Sequence, residues 1–293
     1  MHPLIESLLS DGPVLTDGAW GTQMQARGLA VGGCPDEWNL SRPDAVEEIP
    51  RAYVDAGSQI VLTNTFRSNR VTLADYALAD QAEAINRTGA EISCRAAGDR
   101  ARVFGSIGPS GKMLMMGEVS EEQLLDAFAE QACALAAGGA HGLVLETMGD
   151  LAEAKLAVQG AKASGLPVVA CMCFDSGADL DRTLMGTTPE QAAQALTAAG
   201  ADVIGANCGQ GIAGYVEICR RLRAATDRPI WVKPNAGIPE LVNDVPVWKT
   251  APEQFGSYGP ALVAAGASFL GGCCGTAPQF IRALRDAIRG EQS

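Results

Sequence analysis

Histidine is nearly absent: the 293-residue chain has two, His2 and His141. His2 falls in the first residues, and His141 stands just ahead of an apolar run, at the entry end of a strand rather than its exit. A histidine-based zinc site, a Cys–His pair and a Ser–His–Asp triad are therefore excluded. Basic residues are also few: 22 Lys and Arg against 34 Asp and Glu give a net charge of -12. They form no patch, and so acidic a surface repels phosphate backbones, so no nucleic acid partner is expected. No run approaches the roughly 18 uncharged apolar residues of a membrane span, so no membrane association is expected. The opening MHPLIESLLSDG lacks the basic and apolar regions of a secretory leader. Nine cysteines, an odd number, then read as reduced thiols, and the expected localisation is cytoplasmic.

What the chain has is alternation. Eight short apolar runs, at 14–19, 60–65, 102–107, 142–147, 167–174, 203–208, 229–235 and 269–274, are separated by Ala- and Leu-rich amphipathic stretches such as 121–137, 151–163, 188–199 and 278–289. Thr188-Pro189 reads as a helix N-cap followed by Pro at the first helical position, and Asp150 and Thr276 read as further caps. Glycine after a helical stretch recurs before the runs, as at Gly57, Gly165, Gly200 and Gly266. Eight strand–helix repeats predict an α/β fold, a single (β/α)8 TIM barrel occupying 1–293 as one domain. An open doubly wound sheet would carry a G-x-G-x-x-G turn after its first strand, and DGAWGTQM at 17–24 does not.

The active face of such a barrel lies at the C-terminal ends of its strands. The residues there are Asp17, Asn64-Thr65-Phe66, Gly108-Pro109-Ser110, Glu146-Thr147, Phe174-Asp175, Asn207-Cys208, Asn235-Ala236-Gly237 and Cys273-Cys274. Adjacent residues on a strand point to opposite faces, so Cys273 and Cys274 can share one ion only where the backbone bends. Gly271-Gly272 before them and Gly275 after them allow that bend. Strands 6 and 8 are next-nearest neighbours, so Cys208 can reach the same point. Three thiolates suit zinc and leave one tetrahedral position open, as a catalytic site requires. Cys171 and Cys173, two apart in strand 5, read as barrel interior, and Cys34, Cys94, Cys133 and Cys219 as inert. A non-catalytic zinc barrel would need a fourth protein ligand, which only Cys171 or Cys173 could supply. A lyase or aldolase would need a Schiff-base lysine, for which Lys233 is the candidate.

LTDGAWGTQM at 15–24, LTNTF at 62–66, SIGPSG at 106–111, LET at 145–147, GANCG at 205–209, PNAGIP at 234–239 and GGCCGT at 271–276 run in order through nearly the whole chain. Together they resemble the homocysteine S-methyltransferase family, which has betaine-dependent and cobalamin-dependent branches. The resemblance implies a barrel, Zn2+ held by Cys208, Cys273 and Cys274, and methyl transfer to homocysteine to give methionine. It assigns Asp17 and Glu146 to the substrate ammonium, with Asn64 and Asn207 as further substrate-binding candidates, and makes Asn235 a resting fourth ligand. Arg67 stands where many members carry Gly, and Trp20 interrupts the first motif. The expected partners are a small-molecule thiol and a methyl donor. A small onium donor, a betaine first or S-methylmethionine, would suit an aromatic lining of Trp20, Phe66 and Phe174. A methyl-corrinoid on a separate protein, or a different small thiol as acceptor, is the alternative. Met113, Met115 and Met116 read as a lid or a subunit contact.

Overall fold

The apolar runs do become parallel strands. The computed structural model describes residues 2–30, 32–242 and 245–290; the ends of the expected 1–293 domain, Met1 and residues 291–293, lie outside the described residues. In chain order the strands are β1 (Val14–Leu15), β2 (Ile60–Leu62), β3 (Arg102–Ile107), β4 (Gly142–Met148), β5 (Val168–Met172), β6 (Val203–Gly211), β7 (Ile230–Asn235), β8 (Glu240–Val242), β9 (Val245–Val247) and β10 (Ala267–Leu270). Eight of them form one sheet in the order β1-β10-β7-β6-β5-β4-β3-β2, every pair parallel, with helices between them. This is the (β/α)8 barrel. The antiparallel pair β8–β9 is an insertion between β7 and β10 that the apolar pattern did not signal.

Closure between β1 and β2 rests on a few specific bonds. Gln59 donates its N–H to the Leu15 carbonyl at 2.8 Å, and its side chain accepts from Leu15 N at 3.0 Å. Ser58 donates to the Thr16 carbonyl at 3.1 Å, and the Asp17 carboxylate accepts the Leu62 N–H at 2.8 Å. This explains why β1 is shorter than its apolar run: from Thr16 onward the chain bonds to side chains and to β10.

The barrel interior takes one or two residues from each strand: Val14, Ile60, Leu62, Phe104, Val144, Val169, Cys171, Val203, Trp231 and Phe269, with Ile5 of the N-terminal helix Pro3–Leu9 joining them. Trp231 dominates this layer, stacked 6.1 Å from Phe104 and tilted 5.3 Å from Phe269. Gly142 makes room for it indirectly, because a Cβ there would lie 2.8 Å from the Phe104 ring. A second apolar layer fills the space between strands and helices. Thr188 caps Pro189–Ala199 through a capping box with Gln191, and Asp150 caps Leu151–Ala161, as the sequence predicts. Thr276 instead spends its hydroxyl on the Cys273 carbonyl at 2.7 Å and the Ala19 N–H at 3.1 Å. No helix among the described residues is long and apolar enough to cross a membrane.

Replacing the fully buried Trp231 by Ala empties the middle of the interior layer. The expected loss is about 3–5 kcal/mol of unfolding free energy, read as a lower urea midpoint at unchanged slope.

Candidate metal and substrate site

The thiols of Cys208, Cys273 and Cys274 converge at the C-terminal mouth, all three sulfurs within 4.8 Å of one another. Backbone geometry brings them there. Cys208 adopts a left-handed φ of 64°, rare for a residue with a side chain, just where β6 loses register with β7. Cys273 donates its N–H to the Pro234 carbonyl at 2.8 Å, which hangs the turn after β10 on the end of β7. Gly275 closes that turn at φ 79°, and a Cβ there would collide with the Trp248 ring at 2.3 Å. Asn235 braces the assembly: its amide donates to the Gly209 carbonyl at 2.7 Å and accepts from Cys274 N at 3.0 Å. It sits beside the thiols, as a resting ligand would have to, with both ends of its amide tied to the backbone of the cysteine-bearing turns.

The donor set is all sulfur and half-buried, and it faces a cavity of about 340 Å3 that Cys208, Cys273 and Cys274 help to line. Those features fit a soft divalent ion held by three thiolates with an open side. Cys173 lies beside the cluster. Burial in the strand 5 interior was expected for it, and it is buried, but β5 ends at Met172 and the Cys173 thiol turns to lie between Cys208 and the Asp175 carboxylate, 3.6 Å from the latter. Hydrogen bonds from Cys173, then Cys273 and Cys274, hold the Cys208 thiol far below the ordinary cysteine range. The bond to Cys208 conversely holds Cys273 and Cys173 well above it, and Cys274 is pushed up to about 12. The cluster concentrates its negative charge on one sulfur. Cys171 remains in the barrel interior.

Three buried carboxylates surround the cavity, and they are not equivalent. Asp17 is 0% exposed and saturated: it accepts from Lys233 Nζ at 2.5 Å, Trp20 Nε1 at 3.0 Å and Leu62 N at 2.8 Å. It lies behind the cavity wall, with Lys233 as its charged partner. Glu146 does line it. One of its oxygens accepts the Ser106 hydroxyl; burial raises its pKa, and Lys233 and Ser106 oppose that rise. Asp36, which the sequence reading overlooked, also lines the cavity; burial raises its pKa to about 6 against hydrogen bonds from Ser68 and Arg67 N.

The remaining candidates separate by position. Burial lowers the Lys233 ammonium, but Asp17 and Glu146 outweigh it and hold the pKa above the ordinary lysine value. A lysine locked in its charged form is no Schiff-base nucleophile. Asn64 lines the cavity but spends its amide on the Pro35 carbonyl and Asn39, at 2.8 and 3.0 Å. Asn207 points away from the cavity, to Thr147 and Cys273. Trp20 and Phe66 line the cavity; Phe174 does not, being fully buried in the layer between strands and helices, so the aromatic lining has two members rather than three. Arg67 is exposed at the mouth, its guanidinium 5.4 Å over the Tyr76 ring. Met113 and Met115 border a separate cavity of about 310 Å3, beside Leu184 and Met185.

Residues 14–288 match the family model for homocysteine S-methyltransferase. The chain belongs to this family. It is 34% identical to a methionine synthase of Mycobacterium tuberculosis (strain ATCC 25618 / H37Rv), over 96% of this chain and 25% of that protein. It is 33% identical to a methionine synthase of Mycobacterium leprae (strain TN), over 97% of this chain and 25% of that one. The chain thus spans about a quarter of the length of these relatives. Among solved structures, the metallated form of the homocysteine methyltransferase MmuM from Escherichia coli superposes with a TM-score of 0.81 at 24% identity, covering 98% of this chain and 100% of that one. That likeness shows a shared fold.

Lys233→Met should leave Asp17 buried and unpaired, costing about 3–5 kcal/mol in chemical denaturation. Adding Asp17→Asn should recover part of the loss. Asp36 gives a pH signature. Its raised folded pKa adds stability that is fully present below pH 3.8 and lost as pH rises through about 6. Between pH 7.5 and 5 the protein should gain on the order of 1–2 kcal/mol from this group, and Asp36→Asn should abolish that gain in denaturant titrations.

Proposed function

We propose that the chain transfers a methyl group to the thiol of homocysteine, giving methionine, with zinc held by Cys208, Cys273 and Cys274. The observation that carries this reading is three convergent thiols and one unsaturated buried carboxylate, Glu146, lining the same cavity. A zinc ion, when bound there, lowers the pKa of an incoming thiol so that it is present as a nucleophilic thiolate. Everything else falls to the chain. Glu146 receives the substrate ammonium in a charge-assisted bond, and Ser106 and Lys233 oppose the rise in its pKa that burial causes. Trp20, fixed by its bond to Asp17, and Phe66 exclude water from the path between acceptor and donor. Cys173 and Asn207 supply hydrogen bonds to the cysteine sulfurs from behind. All nine cysteines are free, which suits a reducing, cytoplasmic setting.

For the donor we favour an onium compound, a betaine before S-methylmethionine. The faces of Trp20 and Phe66, together with buried carboxylates, suit a cationic methyl-bearing centre. One observation favours a second reading. The relatives at 34% and 33% identity are methionine synthases four times as long, which points to a methyl-corrinoid carried outside this chain.

Purified protein should hold one zinc per chain, and Cys208→Ala and Cys273→Ala should each lose both metal and turnover. X-ray absorption at the zinc edge should gain one sulfur scatterer on adding homocysteine. Full activity in a zinc-free Cys273→Ala protein would sink the mechanism. A donor panel of betaine, S-methylmethionine and methylcobalamin separates the two donor readings, since methionine from methylcobalamin alone overturns the onium preference.

A further inference from the structure

Thr147 has a φ of 61°, and for a β-branched residue that is an outlier which surrounding structure must enforce. It stands where β4 slips register against β5, between Leu145 and Met148. Such a bulge re-aims the side chains it carries, and here it carries Glu146. The enforcing group is Asn207, from β6, two strands away and 1% exposed. Its Oδ1 accepts the Thr147 N–H at 2.6 Å, and its Nδ2 donates to the Thr147 hydroxyl at 2.8 Å. The same Nδ2 lies 3.9 Å from the Cys273 sulfur, within sulfur hydrogen-bond range.

We infer that Asn207 is a positioning residue that couples the amino-acid-binding carboxylate to the metal thiols. Its planar amide spans both: one edge locks the strained Glu146–Thr147 bulge, and the remaining N–H steadies Cys273. An aspartate would lose both donors, and an alanine all three contacts. The aim of Glu146 is thereby referenced to the sulfur cluster, so the ammonium and thiol of one substrate meet their partners in register. This rests on the reading in which Glu146 receives the ammonium of homocysteine and the three thiols hold the metal.

The test uses cobalt(II)-loaded protein, whose thiolate-to-metal charge-transfer band reports both ligand environment and thiol binding. Homocysteine and 1-propanethiol, which has the thiol and no ammonium, are titrated against wild type, Asn207→Ala, Thr147→Gly and the double variant. Glycine takes a positive φ without strain, so Thr147→Gly removes the need for the clamp. Asn207→Ala should weaken homocysteine on the order of tenfold, as for a lost buried hydrogen bond, with little change for propanethiol. The double variant should recover most of that loss. The charge-transfer band should move to lower energy in both Asn207→Ala proteins, because a sulfur without its N–H donor is the better electron donor. Equal weakening of both thiols, no rescue by Thr147→Gly, or an unmoved band overturns the assignment while leaving the methyltransfer reading intact. A wild-type spectrum indifferent to homocysteine overturns both.

Discussion

The site is organised around one buried ion pair, Asp17 with Lys233. At 0% and 2% exposure neither charge can reach water, so each depends on the other. The pair does three jobs at once. Asp17 takes the Leu62 N–H across the seam between β1 and β2, where ladder bonds are scarce. It fixes the Trp20 indole at the cavity wall. Lys233, meanwhile, sits close enough to Glu146 to pull down a pKa that burial pushes up. A barrel closed by its own catalytic-face charges cannot vary that face freely, because losing either charge strands the other inside the fold.

The thiol cluster depends on backbone conformation more than on sulfur. Cys208 reaches its partners through a left-handed φ, Cys273 and Cys274 through a glycine-flanked turn hung on β7, and Asn235 ties the two turns together. Convergence is therefore a matter of backbone path, and the concentration of negative charge on Cys208 follows from having three other thiols around one sulfur.

The barrel was legible because its evidence is periodic: eight apolar runs, glycine stops after helices, and caps at Asp150 and Thr188. Strand lengths were less so. The runs at 14–19 and 269–274 look like full strands, but their last residues leave the regular ladder for single bonds to backbone carbonyls and side chains, which apolar character does not record. The convergence of Cys208, Cys273 and Cys274 could be picked out because glycines and strand ends mark where a backbone can turn. Cys173 was assigned correctly to burial but not to the cluster, since a two-residue alternation assumes that the strand continues, and β5 stops at Met172. Phe174 failed for the same reason. Asp36 lies on a loop with no motif of its own, and its place beside the cavity is a purely tertiary fact.

Counting donors separates the three carboxylates. Asp17 has three, one of them charged, and is spent. Asp36 has the Ser68 hydroxyl and the Arg67 N–H on one oxygen and the Cys34 thiol at 4.0 Å on the other, and with a pKa of about 6 it is only loosely held as an anion. Glu146 has a single hydroxyl donor on one oxygen and a nearby lysine that favours the charged form without bonding to it. A cation entering the cavity thus meets an acceptor already desolvated and short of partners, whose pKa burial raises and Lys233 and Ser106 restrain. The cost of burying that charge falls on folding and is offset only when a cation binds beside it.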